Sequence, residues 1–189
     1  MSTIKSIVLD LKRHLSLVHP GRQPTVFTLL LLLASPRYLP VLVYRLSHAL
    51  YRKNLKPCAW LLARLNQILH GIEIASACPI GPGLFLPHTY GTVVGAASIG
   101  DNVTIFQGST LGAKYLDFSY ASCCRPRIGS GVTVGAGSKV LGNVYIGDNA
   151  TIGANAVVIS DLPSNCVAVG IPAKPLQSPN YSNSTPFPV

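Results

Sequence analysis

The sequence predicts a mainly β protein: a parallel β-helix of hexapeptide repeats preceded by a small α-helical N-terminal region. Three observations carry this expectation. Aliphatic residues recur every six positions from Ile74 to Val158. Sixteen of the 17 glycines lie beyond residue 70. The chain up to that point follows a helical spacing instead.

The N-terminal region comes first in the chain. Met1 to Val18 places Ile4, Ile7, Val8, Leu11, Leu15 and Leu17 near helical spacing, and His19-Pro20-Gly21 ends it. Thr25 to Ala34 is a second apolar segment, closed by Pro36. Pro40 opens Val41 to Leu50, and Pro57 opens Cys58 to Leu69. The net charge of +9 resides here: residues 1–70 hold ten Lys/Arg against Asp10, whereas residues 71–189 hold five charges of each sign. Basic residues mixed with Leu, Val and aromatics suit helices that pack on the coil. They also suit an anionic membrane surface, and they argue against nucleic acid as the partner.

The repeat begins at Ile74. The aliphatics are Ile74, Ile80, Leu86, Ile99, Ile105, Leu111, Ile128, Val134, Val140, Ile146, Ile152 and Val158. Glycine usually follows each, and a small or β-branched residue stands four positions on. Each hexad is one short strand and a corner, three hexads make a triangular turn, and stacked turns align the aliphatics into inward ladders. Residues 71–176 form this domain. Gln177 to Val189, rich in Pro, Ser and Asn, reads as a disordered tail.

Two interruptions break the period. The step from Leu86 to Ile99 is one position longer than two hexads, with the surplus in Pro87 to Thr92. The step from Leu111 to Ile128 is far longer than one hexad, so a loop leaves the coil at about 113–126. That loop holds Lys114, Tyr115, Asp117, Phe118, Tyr120, Cys123, Cys124 and Arg125. His88, the one histidine beyond residue 70, sits at the first interruption. An imidazole there is a natural base for an alcohol proton. Counting back along the chain, Glu73 is close to one turn away and is expected beneath His88, where a carboxylate would hold the ring's tautomer.

Several classes are excluded. The longest uncharged apolar stretch, Val26 to Ala34, is too short to span a bilayer, and charges scattered from Lys5 to His14 do not read as a signal peptide. Five cysteines without a C-x-x-C spacing read as free thiols of a cytoplasmic protein. A zinc-binding coil needs three histidines, so no metal is expected.

The segment from Gly71 through Pro87-His88-Thr89-Tyr90-Gly91 to Gly95 resembles the serine O-acetyltransferases and their relatives that acetylate bacterial polysaccharides. The resemblance continues through Val103 to Gly112, Val134 to Asn143, Ile152 to Val158 and Gly170-Ile171-Pro172-Ala173-Lys174. Tyr44-Arg45-Leu46-Ser47-His48 looks like the last helical segment of that family. The resemblance implies a left-handed coil, a homotrimer and acetyl-CoA as co-substrate. It matches His88 to the catalytic base and Glu73 to its carboxylate partner. It matches Gly112, Ala113, Ala136, Gly137 and Ala154 to CoA-lining positions, with Lys139 or Lys174 meeting CoA phosphates.

Departures from the family pattern turn this reading toward a sugar. Members that acetylate serine carry Asp immediately before the histidine; Pro87 stands here. They carry Arg-His before the loop's closing proline; Cys124-Arg125 stands here, before Pro126. Thr89, Tyr90 and Arg125 remain as candidate acceptor contacts. The expectation is therefore an acetyl-CoA-dependent O-acetyltransferase acting on a carbohydrate hydroxyl in capsule or exopolysaccharide synthesis. The alternatives are a serine O-acetyltransferase of cysteine synthesis and a non-catalytic hexapeptide scaffold.

Overall fold

A computed structural model describes residues 2–21, 32, 35–117 and 119–176. Helix α1 (Thr3–Val18) starts at Ser2, whose hydroxyl accepts the N–H of Lys5, and stops at His19. The predicted segment Thr25–Ala34 and the tail 177–189 lie outside the described residues, except for buried Leu32. Helices α2 (Leu39–Arg52) and α3 (Lys56–His70) each carry proline in the first turn, where a missing N–H leaves no bond unmade. Tyr44 to His48 falls in α2, so α3 still intervenes before the coil. Gly71 ends α3 at φ +64°, and its N–H bonds to Gln67 O at 3.0 Å.

The coil has three faces. The first stacks β1 (Ile72–Ile74), β2 (Thr92–Val94), β5 (Thr110–Gly112), β8 (Lys139–Leu141) and β11 (Val157–Val158). The second stacks β3 (Ser98–Ile99), β6 (Arg127–Ile128) and β9 (Tyr145–Ile146). The third stacks β4 (Thr104–Ile105), β7 (Thr133–Val134), β10 (Thr151–Ile152), β12 (Val167–Gly170) and β13 (Ala173–Pro175). Among the described residues every strand pairing is parallel except β12 with β13, which closes the stack antiparallel.

All twelve predicted aliphatics are buried, and the small or β-branched residues four positions on are buried beside them. Registers join them into ladders: Val94, Leu111, Val140 and Val158 on the first face, Ile99, Ile128 and Ile146 on the second, Ile105, Val134 and Ile152 on the third. Each such side chain contributes about 1.5–3 kcal/mol by leaving water. Val94 is a ladder member that the six-residue count skips, because it falls between Leu86 and Ile99 out of step with both. The helices dock on the first turns. Tyr44 donates its hydroxyl to Cys78 O at 2.7 Å, and Arg13 reaches Gly83 O, Val103 O and Thr104 Oγ1. Among the described residues no helix is long and apolar enough to cross a membrane.

Candidate active site

The edge joining the third face to the first is a column of tight corners, one per turn. Gly91 N–H bonds to Gly71 O, Gly108 N–H to Tyr90 O, Gly137 N–H to Gln107 O and Asn155 N–H to Ala136 O, all at 2.8–3.0 Å. Gly91, Gly108, Gly137 and Asn155 all have φ between +57° and +72°. At Gly137 the backbone is left-handed and a Cβ would sit 2.2 Å from Asn155 Oδ1, so any other residue there would have to displace that side-chain amide.

His88 stands at the foot of this column, just before the Gly91 corner, with its side chain exposed. Its surroundings fix the backbone. Thr89 is buried and donates its hydroxyl to His70 O at 2.7 Å, tying the corner to the end of α3. The proton of that hydroxyl is spent on His70 O, which leaves Thr89 only its lone pairs to offer an acceptor. The ring of Tyr90 lies over Gly71, where any Cβ would come within 2.8 Å of it, yet the residue stays 77% exposed.

Above His88 the same edge presents Gln107, then Ala136 and Gly137, then Ala154. Lys139, at the start of β8, donates its ammonium to Gly108 O on this edge. His88, Tyr90 and four of the predicted CoA-lining residues therefore share one column. Gln107 was not singled out from the sequence. Its Oε1 is buried and has no hydrogen-bond partner among the described residues, an acceptor one turn above the imidazole. Gly112 and Ala113 do not join this column: they lie at the far end of β5, on the edge where the loop departs, and the position of a Cβ on Gly112 is open space. Lys174 is exposed on β13, at the closing end of the stack.

Glu73 is not beneath His88. The register of β1 on β2 places it opposite Val93, because the first turn is longer than three regular hexads. Its carboxylate accepts from Gln67 Nε2 at 3.2 Å, and among the described residues no hydrogen bond or ion pair joins it to His88. Arg125 is also not available to an acceptor. It is buried, bonds Asp117 through Nε at 3.1 Å and Nη2 at 3.0 Å, donates to Gly95 O, and lies 3.8 Å over the ring of Tyr120. Ser119, Arg125 and the N–H of Ala121 together hold the Asp117 carboxyl below its ordinary range. Arg125 thus clasps the loop shut. A second residue with no signal in the sequence is Arg37, whose Nε donates to Pro87 O at 3.2 Å, directly before the imidazole-bearing residue.

Residues 125–160 match the bacterial transferase hexapeptide family (six repeats). The chain is 45% identical over 144 residues to the serine acetyltransferase of Helicobacter pylori J99, covering 76% of this chain and 82% of that one. Its structure aligns with the crystal structure of Neisseria gonorrhoeae serine acetyltransferase at a TM-score of 0.82 and 34% identity, over 97% of this chain and 67% of that one. The same enzyme in complex with serine aligns at 0.78 and 35%, over 92% and 68%. A serine acetyltransferase complex with CoA aligns at 0.77 and 32%, over 93% and 70%.

These likenesses overturn the carbohydrate reading and lend no support to the polysaccharide branch of the resemblance. The relatives that cover the chain are serine acetyltransferases, and one of them holds serine. The reason the residues misled is physical. A charge missing at Pro87 and at Cys124-Arg125 says which groups do not hold the acceptor; it does not make the acceptor uncharged. With most of its length aligned to such an enzyme in sequence and in structure, the chain belongs to the serine acetyltransferase family and is an acetyl-CoA-dependent O-acetyltransferase.

Proposed function

We propose that the chain transfers the acetyl group of acetyl-CoA to the hydroxyl of serine, with His88 as general base. The observation that carries this reading is the column itself: an exposed imidazole at the foot of a stack of small corner residues. His88 takes the hydroxyl proton as the oxygen attacks the thioester carbonyl. The new O–C bond forms, the C–S bond breaks, and the imidazolium returns its proton to the departing thiolate. A thioester is already activated, so no acyl-enzyme is required. Ala136, Gly137 and Ala154 leave room for the pantetheine arm against backbone amides, and Lys139 and Lys174 meet the phosphates.

The same reading takes the coil as left-handed and the assembly as a homotrimer. Gly112 and Ala113, on a different edge from His88, then face the active column of a neighbouring copy across a shared cleft. Residues 1–70 form a basic helical region and 71–176 the catalytic coil. The exposed apolar side chains of α3, among them Trp60, Leu61 and Ile68, lie beside Lys56 and Arg64 and fit peripheral contact with an anionic membrane. Equal sedimentation with neutral and anionic vesicles would count against that contact.

The catalytic assignment is tested by CoA release from acetyl-CoA with serine. Wild type is expected to turn over serine, and His88→Ala to lose about 10²–10⁴-fold in kcat with CoA binding retained. Turnover close to wild type in a folded His88→Ala variant removes His88 from the mechanism.

A further inference from the structure

We propose that Arg37 is the cation that receives the carboxylate of the acceptor; the assignment rests on serine being that acceptor. Serine is a small zwitterion, and selecting it over other hydroxyls requires a cation within reach of the base. The position from which the family supplies one is altered here, and the arginine left in that region is consumed: Arg125 is buried against Asp117, Gly95 O and the ring of Tyr120. Lys139 donates to Gly108 O one turn above and is assigned to the CoA phosphates, and Lys114 lies on the loop with its ammonium 5.6 Å from the ring centre of Tyr115.

Arg37 is differently placed. Its Nε is bonded to Pro87 O, the carbonyl directly before His88, from a distant part of the chain. Its backbone is fixed: the N–H bonds to Ser35 Oγ at 3.3 Å, the next residue, Tyr38, returns its N–H to Ser35 O, and the Tyr38 side chain is buried with its hydroxyl on Ile7 O. The side chain of Arg37 is exposed, and neither Nη bonds to any described residue. No other guanidinium among the described residues bonds to residues 87–91. With Nε anchored, the paired Nη atoms remain for a carboxylate, which guanidinium geometry accepts through two parallel bonds. Proline at 87 fits this arrangement: it has no N–H and no charge, so an aspartate's competition for the guanidinium is absent and the carbonyl alone orients it.

The test compares serine with serinamide, which keeps the hydroxyl and ammonium but lacks the carboxylate. CoA release is measured for full-length wild type, Arg37→Met and Arg37→Lys. Wild type is expected to favour serine. Arg37→Met is expected to lose more than about tenfold in kcat/KM for serine, the worth of one charge-assisted hydrogen bond, with a much smaller loss on serinamide and an unchanged KM for acetyl-CoA. Arg37→Lys is expected to recover part of the preference, because it restores the charge without the fork. If Arg37→Met keeps the wild-type preference for serine, or loses equally on both acceptors, the assignment is overturned while the serine reading stands. Wild type that releases no CoA with serine overturns the serine reading, and the assignment with it.

Discussion

Asp10 of α1 and Arg45 of α2 form an ion pair sealed against the first turn of the coil, with Nε to Oδ2 at 2.8 Å and Nη2 to Oδ1 at 3.0 Å. Neither partner depends on the other alone. Asp10 Oδ1 also accepts the N–H groups of Gly83 and Leu84, and Arg45 donates to the carbonyls of Ile80 and Gly81. The pair therefore fastens two helices to the segment that runs on through Phe85 and Pro87 to His88. A buried ion pair repays its desolvation only when its remaining hydrogen-bonding capacity is filled, as it is here.

Asp10→Asn leaves the Arg45 charge buried without its counter-charge. The expected cost is about 3–5 kcal/mol, read as a lowered denaturant midpoint. Removing both charges, as Asp10→Asn with Arg45→Met, is expected to cost less than the two single changes together. A midpoint unmoved by Asp10→Asn would mean that the coil folds without this fastening.

The coil was legible because its signal is local: an inward aliphatic in every hexad is written in one strand-and-corner unit and repeated. Val94 was not, because the uneven spacing on either side of it breaks that unit, and only pairing with Leu111 reveals its place. The same irregular turn displaced Glu73 from the expected partner: the turn that begins at Glu73 closes at Val93, well past His88. His88 was found by its solitude at an interruption. Arg37, Arg45 and Arg125 were opaque, since their partners lie elsewhere in the chain with no periodicity to mark them.

His14 supplies a pH dependence. It is buried, edge-on to Tyr38 and Phe85, and its Nε2 has no partner among the described residues. Burial first, then the charges of Arg37 and His19, lowers its pKa from 6.5 to about 4. The unfolded chain thus binds the proton more readily, so the contribution is fully present above pH 6.5 and is lost as pH falls toward 4. Wild type is expected to lose stability between pH 7 and pH 5, and His14→Phe to lose less over that range. Equal losses in denaturant melts would assign the acid sensitivity to other groups.

Arg125→Met should open the loop. It removes the bonds to Asp117 and Gly95 O and leaves the Asp117 carboxylate without its counter-ion. Limited proteolysis is expected to cut between residues 113 and 124 faster than in wild type. Arg125→Lys should rescue little, because one ammonium cannot reach Asp117 and Gly95 O with fork geometry while stacking on Tyr120. Unchanged cleavage in Arg125→Met would show that the Tyr120 hydroxyl, bonded to Ala96 O at 2.8 Å, holds the loop alone.

Glu73→Gln decides whether the Glu73 carboxylate, which the strand register sets opposite Val93, reaches the base at all. Glu73 is exposed at the start of the coil, close after the glycine that Tyr90 covers, and its present partner is the side-chain amide of Gln67. That is a weak hold, since an exposed amide-to-carboxylate bond competes with water, and a side-chain rotation is enough to release it. A carboxylate that turns to the imidazole would stabilise the imidazolium formed as the hydroxyl proton is taken, which raises kcat without strengthening CoA binding. Glu73→Gln is nearly isosteric, so it isolates the charge. The expected outcome is a fall in kcat of about tenfold or more with an unchanged KM for acetyl-CoA. Glu73→Asp keeps the charge on a shorter arm and should recover part of kcat. If kcat of Glu73→Gln matches wild type, Glu73 serves only to meet Gln67, and the base works without a carboxylate partner.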